Sequence, residues 1–194
     1  MDDMNELLLI KQVQKGDRDA FSRLVETWHG KIYRFAYRFF ADEADAHDIT
    51  QKTFIKTYQN VAGLKEPEKF SSWIYRIANN LCLDELKRAG RRKSTSLEAY
   101  IEQADGIEGE ETAPDTELQN KELGTILQKA LLMLPDEQRA VIILKEYEGL
   151  KFREIADILE EPESTVKSRL YYGLKSTRRV LTNWNIKHEY LNNG

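Results

Sequence analysis

The sequence contains few residues that could cross-link or interrupt a fold. Its 194 residues include a single cysteine, Cys82, together with four prolines and ten glycines. One cysteine cannot form an internal disulfide, and three scattered histidines do not supply the other ligands of a structural zinc site. No apolar run approaches the length needed to cross a bilayer, and residues 1–6 lack the basic and apolar regions of a secretion signal. These absences predict a cytoplasmic protein without a bound metal.

Features of an independent enzyme are also missing. Acidic residues on the predicted helices, such as Asp84 and Glu85, have no histidine, cysteine or serine placed with them as a catalytic triad. His29, His47 and His188 lie far apart along the chain, and no glycine-rich phosphate loop is present. We therefore expect neither independent catalysis nor a cofactor.

Charge is distributed unevenly along the chain. The formal net charge is −4, but residues 94–117 contain eight acids and no base, so the rest of the chain carries +4. The excess cations lie in residues 69–93 and 164–188, and such asymmetry says more about partners than the total charge does. The acidic stretch has few large apolar residues, which predicts a flexible linker over residues 94–118.

Apolar residues at helical spacing organise residues 1–93 as one predicted helical domain. Gly16 and Asp17 mark the end of a first helix and the cap of a second, and Asp42 is placed to cap a third. The predicted helices include residues 5–14, residues 43–60, and a last helix that starts at Ser71 or Ser72 and ends near Arg88, at Ala89-Gly90.

The C-terminal half, residues 119–194, shows the pattern of a helix-turn-helix. Two successive predicted helices each place apolar residues on one face: Ile155, Ala156 and Leu159, then Val166, Leu170 and Leu174. The opposite face of the second helix carries Lys167, Ser168, Tyr171, Tyr172 and Lys175. Residues 164–188 contain six Lys or Arg and no acid, as a helix that neutralises DNA phosphates requires. The chain is thus predicted to be all-α, with two small helical domains joined by an acidic linker.

Several segments resemble the extracytoplasmic-function sigma factors of bacterial RNA polymerase. Residues 44–54 (ADAHDITQKTF) are similar to the polymerase-binding helix of that family, and residues 70–88 to the helix that recognises and opens the −10 element. Residues 134–139, with 154–156 and 165–170, are similar to its −35-binding domain. The order and spacing of these segments match one architecture along nearly the whole chain.

The resemblance implies a sigma factor that binds core polymerase and promoter DNA, directs promoter-specific initiation, and has an anti-sigma protein as a further partner. It implies polymerase contacts for Asp45, Asp48 and Gln51, while Ile49, Phe54 and Ile55 hold their helix in the domain. It implies −10 contacts for Trp73, Arg76, Asn79, Asn80, Arg88 and Arg91. It implies −35 contacts for Thr165, Lys167, Ser168, Arg169, Tyr171, Tyr172 and Lys175, of which Arg169 and Lys175 would more often take phosphates.

Some of these assignments have a second interpretation. Trp73 fits the hydrophobic core as well as it fits a DNA contact, and the polar face around Asp48 is by its pattern alone an ordinary solvated surface. The linker either keeps the chain soluble or, by the resemblance, threads the active cleft and RNA-exit path of polymerase. Two rival functions also remain: a stand-alone helix-turn-helix regulator that does not act through core polymerase, and a decoy or adaptor with a borrowed fold.

Three residues depart from the family pattern. Many members have a small residue in place of Glu160, glycine in place of Ser164, and arginine in place of Tyr172. The first two lie in or beside the turn of the helix-turn-helix. The third predicts a changed −35 preference, because tyrosine cannot make the bidentate contact of arginine to guanine.

Overall fold

A computed structural model describes residues 3–92 and 116–184, and every regular element in those ranges is helical. The N-terminal half contains α1 (Asp3–Gln14), α2 (Arg18–Phe40), α3 (Glu43–Asn60) and α4 (Phe70–Arg92). Short 3-10 turns at Val61–Gly63 and Pro67–Lys69 join α3 to α4. The C-terminal half contains α5 (Thr116–Leu132), α6 (Asp136–Ile142), a π-helical turn (Ile143–Tyr147), α7 (Phe152–Leu159) and α8 (Glu163–Asn183). The predicted all-α class is confirmed.

The first helices begin and end at the residues that local chemistry predicts. Gly16 has φ 88°, a left-handed conformation that glycine adopts without a Cβ penalty at the end of a helix. The side chains of Asp17 and Asp42 accept hydrogen bonds from the backbone N–H groups of Ala20 and Asp45, both at 2.9 Å. Each bond satisfies an otherwise free N–H group and contributes about 1 kcal/mol. Both predicted caps are confirmed.

An aromatic cluster holds α4 against α2. The ring centroids of Trp28 and Phe70 lie 5.6 Å apart and those of Phe35 and Tyr75 lie 5.4 Å apart, both with the edge-to-face orientation that aromatic pairs favour. Phe39 is also fully buried in this core. Each such ring contributes about 1.5–3 kcal/mol through burial. The cluster therefore fixes which face of α4 points away from the N-terminal core.

Helices α7 and α8 form the predicted helix-turn-helix. Ile155 on α7 and Val166 on α8 are fully buried and belong to the same core. Helix α7 ends at Leu159, and its cap residue Glu160 has φ 56°. The turn is closed by a bond from the Glu161 N–H to the Ala156 carbonyl, at 3.1 Å. Glu160 therefore occupies a left-handed position where residues with a Cβ are strained, so among small residues glycine suits it best.

The predicted end of α4 was wrong. Helix α4 continues through Gly90 to Arg92, because one interior glycine costs only about 1 kcal/mol.

Helix α6 begins after Pro135, which takes the cap position without a side-chain bond. Asp136 is the first helical residue, with its carboxylate 3.5 Å from the Arg139 guanidinium.

Two residues predicted to pack inward are exposed. Leu174 is 45 % exposed, and Gly173 takes the buried position on α8 beside it. Ile55 is half exposed on α3, whereas its neighbours Ile49 and Phe54 are buried as predicted. Ile55 instead joins an apolar cleft that is described below.

The two halves pack directly against each other, which the sequence did not predict. Helix α4 lies against α7, and α2 lies against α5. The Gln128 side chain donates to the Arg38 carbonyl at 2.9 Å, and Arg139 Nη1 donates to the Phe39 carbonyl at 2.9 Å, so both cap the end of α2. Helix α5 begins at Thr116, and the rest of the predicted linker lies outside the described residues.

Candidate functional site

The exposed face of α8 carries the side chains predicted to read DNA. Tyr171 and Tyr172 are 64 % and 54 % exposed, and their rings meet edge-on with centroids 5.3 Å apart. Lys167, Ser168 and Lys175 are also exposed on this helix. Lys167 lies 3.4 Å from the Glu163 carboxylate, an exposed pair that contributes little and can exchange for a phosphate. This face combines cations with aromatic rings and is open to solvent.

Two other residues of the predicted −35 set are less accessible. Arg169 donates to the Glu161 carboxylate at 3.1 Å, and both side chains are partly buried. Thr165 is also partly buried in the first turn of α8. Arg169 therefore links α8 to the turn through its ion pair with Glu161. That ion pair would have to break before Arg169 could contact DNA.

The predicted −10 residues in the middle of α4 differ in their contacts and in their exposure. Arg76 lies 3.0 Å from the Glu160 carboxylate and also donates to the Asp157 carbonyl. Asn79 is only 2 % exposed, and its Oδ1 has no hydrogen-bond partner among the described residues. Asn80 is exposed to solvent. The structure thus pairs Arg76 with the C-terminal half, buries Asn79 and leaves Asn80 exposed.

The remaining −10 residues lie at the two ends of α4. Trp73 is partly buried, with its ring centroid 5.8 Å from that of Phe70, so it contacts the core while keeping an accessible edge. Arg88 is exposed and lies 3.6 Å from Glu85. The side chain of Arg91 lies outside the described residues. Trp73 therefore packs partly against the core, and its contact with DNA stays a prediction.

The predicted polymerase contacts share one exposed surface of α3. Asp45, Asp48 and Gln51 are three residues apart and all exposed. Asp48 pairs with Lys52, which also lies 4.0 Å from Glu85 on α4. Partial desolvation and then the nearby carboxylates raise the pKa of Asp45. An acid cluster with this unfavourable self-repulsion is suited to a basic partner.

Beside this acidic surface, α2 and α3 form an apolar cleft of about 900 Å³. Asp48 and Gln51 line it together with apolar residues from both helices: Phe21, Val25, Phe54, Ile55 and Tyr58. The rings of Phe21 and Tyr58 meet edge-on at 4.9 Å. Sequence reasoning missed this cleft, and the available signal was apolar Ile55 and Tyr58 on the same helix as the predicted polar contacts.

A buried polar cluster joins the two halves and was also missed. The Tyr75 hydroxyl donates to Glu148, whose carboxylate lies 3.6 Å from Arg38. The Arg38 guanidinium lies 4.3 Å from the centre of the Tyr147 ring, in cation–π geometry. Burial first, and then the bond to Glu148, raise the pKa of Tyr75 far above its ordinary value. The tyrosine is thus held as a hydrogen-bond donor to a carboxylate from the other half.

Two classes of site are not found in the ranges 3–92 and 116–184. No group of three or more histidine, cysteine or acidic residues is arranged there to hold a metal ion. None of the helices in that part of the chain is long and apolar enough to span a membrane. His29 and His47, although distant in sequence, both line the cleft between α2 and α3.

Family models match both halves of the chain. The model described as Sigma-70 region 2 matches residues 24–92, and the model described as Sigma-70, region 4 matches residues 125–176. The first covers α3, α4 and most of α2, and the second covers α7 and α8 as far as residue 176. The candidate DNA-contacting residues on α4 and α8 and the candidate polymerase surface therefore lie inside the matched regions.

Curated relatives match along almost their full length. The chain is 36 % identical over 178 residues to "ECF RNA polymerase sigma factor SigW" of Bacillus subtilis, covering 89 % of this chain and 94 % of that protein. It is 32 % identical over 178 residues to "RNA polymerase sigma-H factor" of Pseudomonas aeruginosa, covering 89 % and 92 %. It is 33 % identical over 172 residues to "ECF RNA polymerase sigma-E factor" of Escherichia coli, covering 87 % and 90 %.

Two solved structures share the fold. CnrH, determined in complex with the cytosolic domain of CnrY, has a TM-score of 0.64 at 21 % identity and covers 92 % of this chain and 97 % of its own. RpoE of Bartonella quintana, determined with the anti-sigma factor NepR, has a TM-score of 0.61 at 20 % identity and covers 84 % and 96 %. At these identities the similarity establishes the fold alone.

Proposed function

Because the chain belongs to the extracytoplasmic-function group of sigma factors, we propose how its exposed faces are used in promoter-specific transcription initiation. As a member of this group, it binds core RNA polymerase and directs initiation at promoters with −35 and −10 elements. The observation that carries the residue assignments is the exposed cationic and aromatic face of α8, on the second helix of a helix-turn-helix.

Helix α8 is proposed to enter the major groove at the −35 element. Lys167, Ser168, Tyr171 and Tyr172 lie along its exposed face near the N-terminal end, which is the part that reaches base edges in this motif. Lys175 lies about two turns after Lys167 and is placed to contact a phosphate. Phosphate contacts position the protein on DNA but do not recognise its sequence. Tyr172 offers one hydroxyl and a ring edge, so it favours a −35 sequence other than the guanine that arginine would select.

Helix α4 is proposed to bind the −10 element once its face is accessible. Opened DNA is held by stacking on aromatic rings and by positive charge. Trp73 offers an accessible ring edge at one end of α4, and the exposed Arg88 offers charge near the other. Between them, Asn79 and Asn80 carry amide groups that can pair with base edges. Arg91 is assigned to the same strand-binding set by its position in the sequence.

The acidic surface of α3 and the adjoining cleft are proposed to dock on core polymerase. Asp45, Asp48 and Gln51 provide charge and hydrogen-bond acceptors, and the cleft provides apolar area beside them. An interface with an apolar centre and a charged rim is the usual composition of protein–protein contacts. The Lys52 that pairs with Asp48 would be displaced or shared when a basic partner arrives.

Further proposals concern the setting in which this chain works. Sigma factors are transcription initiation factors, and we propose that this one performs no chemistry itself and acts in the cytoplasm, where polymerase and promoter DNA are found. CnrH and RpoE were solved with CnrY and with an anti-sigma factor, which supports an anti-sigma partner here too. We also propose two domains, residues 1–93 and 119–194, joined by a linker at 94–118.

Run-off transcription tests the −35 assignment. With core polymerase and genomic promoter fragments, the double variant Lys167→Ala and Tyr171→Ala should lose most initiation at promoters that depend on the −35 element, because base contacts worth about 1–3 kcal/mol each are removed. Lys129→Ala, an exposed cation on α5, is the matched control and should initiate normally. Unchanged protection of the −35 element by the double variant would exclude α8 as its reader.

Affinity capture of core polymerase tests the docking assignment and the rival functions. Asp48→Ala should recover less core polymerase than the unaltered chain while its circular dichroism spectrum stays unchanged, and Asp84→Ala on α4 should recover the normal amount. A stand-alone regulator would recover no core subunits. A decoy would recover them but would not start RNA at a promoter that core polymerase alone ignores.

A further inference from the structure

We propose that Phe152, at the start of α7, is a positioning residue that holds the Lys167 side chain in place for the −35 element. Phe152 belongs to none of the sets of residues predicted to contact DNA. The contact between the two side chains is present in the fold itself. Its consequence for DNA rests on the proposed function of α8, and the two parts are tested separately below.

Phe152 has a partly buried ring that is fixed by its surroundings. It is the first residue of α7 and packs against the hydrophobic core that contains Ile155 and Val166. The Lys145 ammonium, on the π-helical turn, lies 4.9 Å from the centre of the ring and also donates to the Leu150 carbonyl at 3.0 Å. The ring is therefore held both by the core and by a cation that is itself anchored to the backbone.

Lys167 on α8 approaches the same ring. Its Nζ lies 5.4 Å from the centre of the Phe152 ring, within the roughly 6 Å over which an aromatic face attracts a cation. Lys167 is exposed, and an exposed lysine loses side-chain entropy when a partner immobilises it. Because the ring restrains the ammonium before DNA arrives, less entropy is lost when Lys167 binds a base edge.

Glu163 also lies near the Lys167 ammonium, and it differs from the ring in charge. The Glu163 carboxylate lies 3.4 Å from Lys167 Nζ and belongs to the first turn of α8. DNA phosphates repel a carboxylate, so this exposed pair is weakened when α8 enters the groove. Phosphates do not repel a neutral ring. Phe152 is therefore the restraint on Lys167 that remains in the complex with DNA.

The restraint lies at a residue that is proposed to read bases. A side chain that reads a base edge needs a defined position, because hydrogen bonds weaken steeply when they are poorly aligned. A lysine that contacts a phosphate, as proposed for Lys175, acts as a point charge and tolerates more freedom. Phe152 therefore supports recognition of the −35 sequence rather than general affinity for DNA.

Nuclear magnetic resonance of the full chain tests the contact. A side chain above an aromatic ring has its proton signals shifted upfield by the ring current. The ε-methylene protons of Lys167 should show this shift in the unaltered chain and lose it in Phe152→Leu, which keeps an apolar side chain without a ring. The shift should remain in Phe152→Tyr. Unshifted signals in the unaltered chain would overturn the contact.

Fluorinated phenylalanines at position 152 test the positioning role with little change in the shape of the ring. Fluorine withdraws charge from the ring face and so weakens its attraction for a cation. Chains with one, two or three ring fluorines at position 152 are combined with core polymerase. Each holoenzyme is titrated, at one fixed salt concentration, with a fluorescein-labelled fragment of a −35-dependent promoter from which the unaltered holoenzyme initiates.

Affinity for this promoter should fall stepwise with each added fluorine. Loss of the whole attraction should weaken binding about two- to fivefold, which is the size of an exposed cation–π contact. A fragment of equal length without a −35 element should show no such dependence. The same series at Phe40, a partly buried phenylalanine of α2 that packs against the same core, is the control and should bind the promoter normally. Equal affinities across the series at position 152 would overturn the positioning role.

Lys167→Ala in the same assay separates this proposal from the assignment of α8. Normal promoter binding by Lys167→Ala would refute the proposed −35 contact of Lys167, whatever the resonance signals show. Weak binding by Lys167→Ala together with a flat fluorine series would refute the positioning role alone. In a Lys167→Ala background the series should be flat, because the ring no longer has that ammonium to hold. A stepwise fall in that background would show that Phe152 acts through another group, and would also overturn the proposal.

Discussion

Replacing Arg139 should destabilise both halves, because this one side chain holds the ends of two helices. The residue is buried, and its guanidinium donates to the carbonyls of Leu131, Leu132 and Leu134 at the end of α5, at 2.9–3.0 Å. It also donates to the carbonyl of Phe39 at the end of α2, at 2.9 Å. Carbonyls at helix ends have no partner within their own helix, so Arg139 supplies donors that backbone geometry cannot.

The expected loss in the free energy of unfolding follows from the polar groups that the substitution leaves without partners. Arg139→Ala leaves several buried carbonyls without a donor, and each unsatisfied group costs about 1–3 kcal/mol. These costs do not add, because the carbonyls share one site and can relax together. Breaking a buried charged network typically costs about 3–5 kcal/mol, and this is the expected loss in the free energy of unfolding. Arg139→Lys keeps the charge but not the planar fork of donors, so about half of the loss should remain.

Urea unfolding followed by circular dichroism measures this loss. Arg153→Ala, an exposed change on α7, is the control and should stay within about 0.5 kcal/mol of the unaltered chain. The reasoning would be refuted if Arg139→Ala lost less than about 1 kcal/mol with an unchanged dependence on urea. In that case, water would be replacing the guanidinium at carbonyls that the structure shows as buried.

Three further substitutions have expected outcomes. Gly173→Ala should change the free energy of unfolding by less than about 1 kcal/mol in the same urea assay, because the gain in helix propensity offsets the shift that its Cβ, 2.9 Å from Cδ1 of Ile142, imposes on the flexible end of that side chain. Ala41→Gly should raise the melting temperature, with a gain of about 0.5–1 kcal/mol, since Ala41 ends α2 at φ 51°. Asp45→Asn should raise stability by about 0.2–0.5 kcal/mol, because it removes a partly desolvated charge and its repulsion from Asp42 and Glu85, yet it should weaken capture of core polymerase. A loss of stability with normal capture would mean that Asp45 serves the fold.

Helix caps were predictable because their chemistry is local. Gly16, Asp17 and Asp42 act within a few residues of their own position, so the sequence alone places them. The same holds for the buried face of α7, where Ile155 follows helical spacing. The end of α4 was not predictable in this way, because Gly90 can end a helix or continue it, and the choice depends on packing beyond the local sequence.

The inward face of α8 was predicted only in part, for a geometrical reason. Val166 and Leu170 pack inward or partly inward, but a second step of four residues reaches Leu174, which is exposed. At 3.6 residues per turn, eight residues lead about 80° past the starting direction, whereas seven return to within about 20° of it. Gly173, seven residues after Val166, is therefore the buried one.

The contacts between the halves could not be predicted from the sequence. Tyr75 and Glu148 are 73 residues apart, and Arg76 and Glu160 are 84 apart. Neither pair leaves a periodic signal, because a single acid on a polar face looks like any solvated residue. The family resemblance predicts a DNA contact for Arg76, and only the three-dimensional structure shows that Arg76 pairs with Glu160.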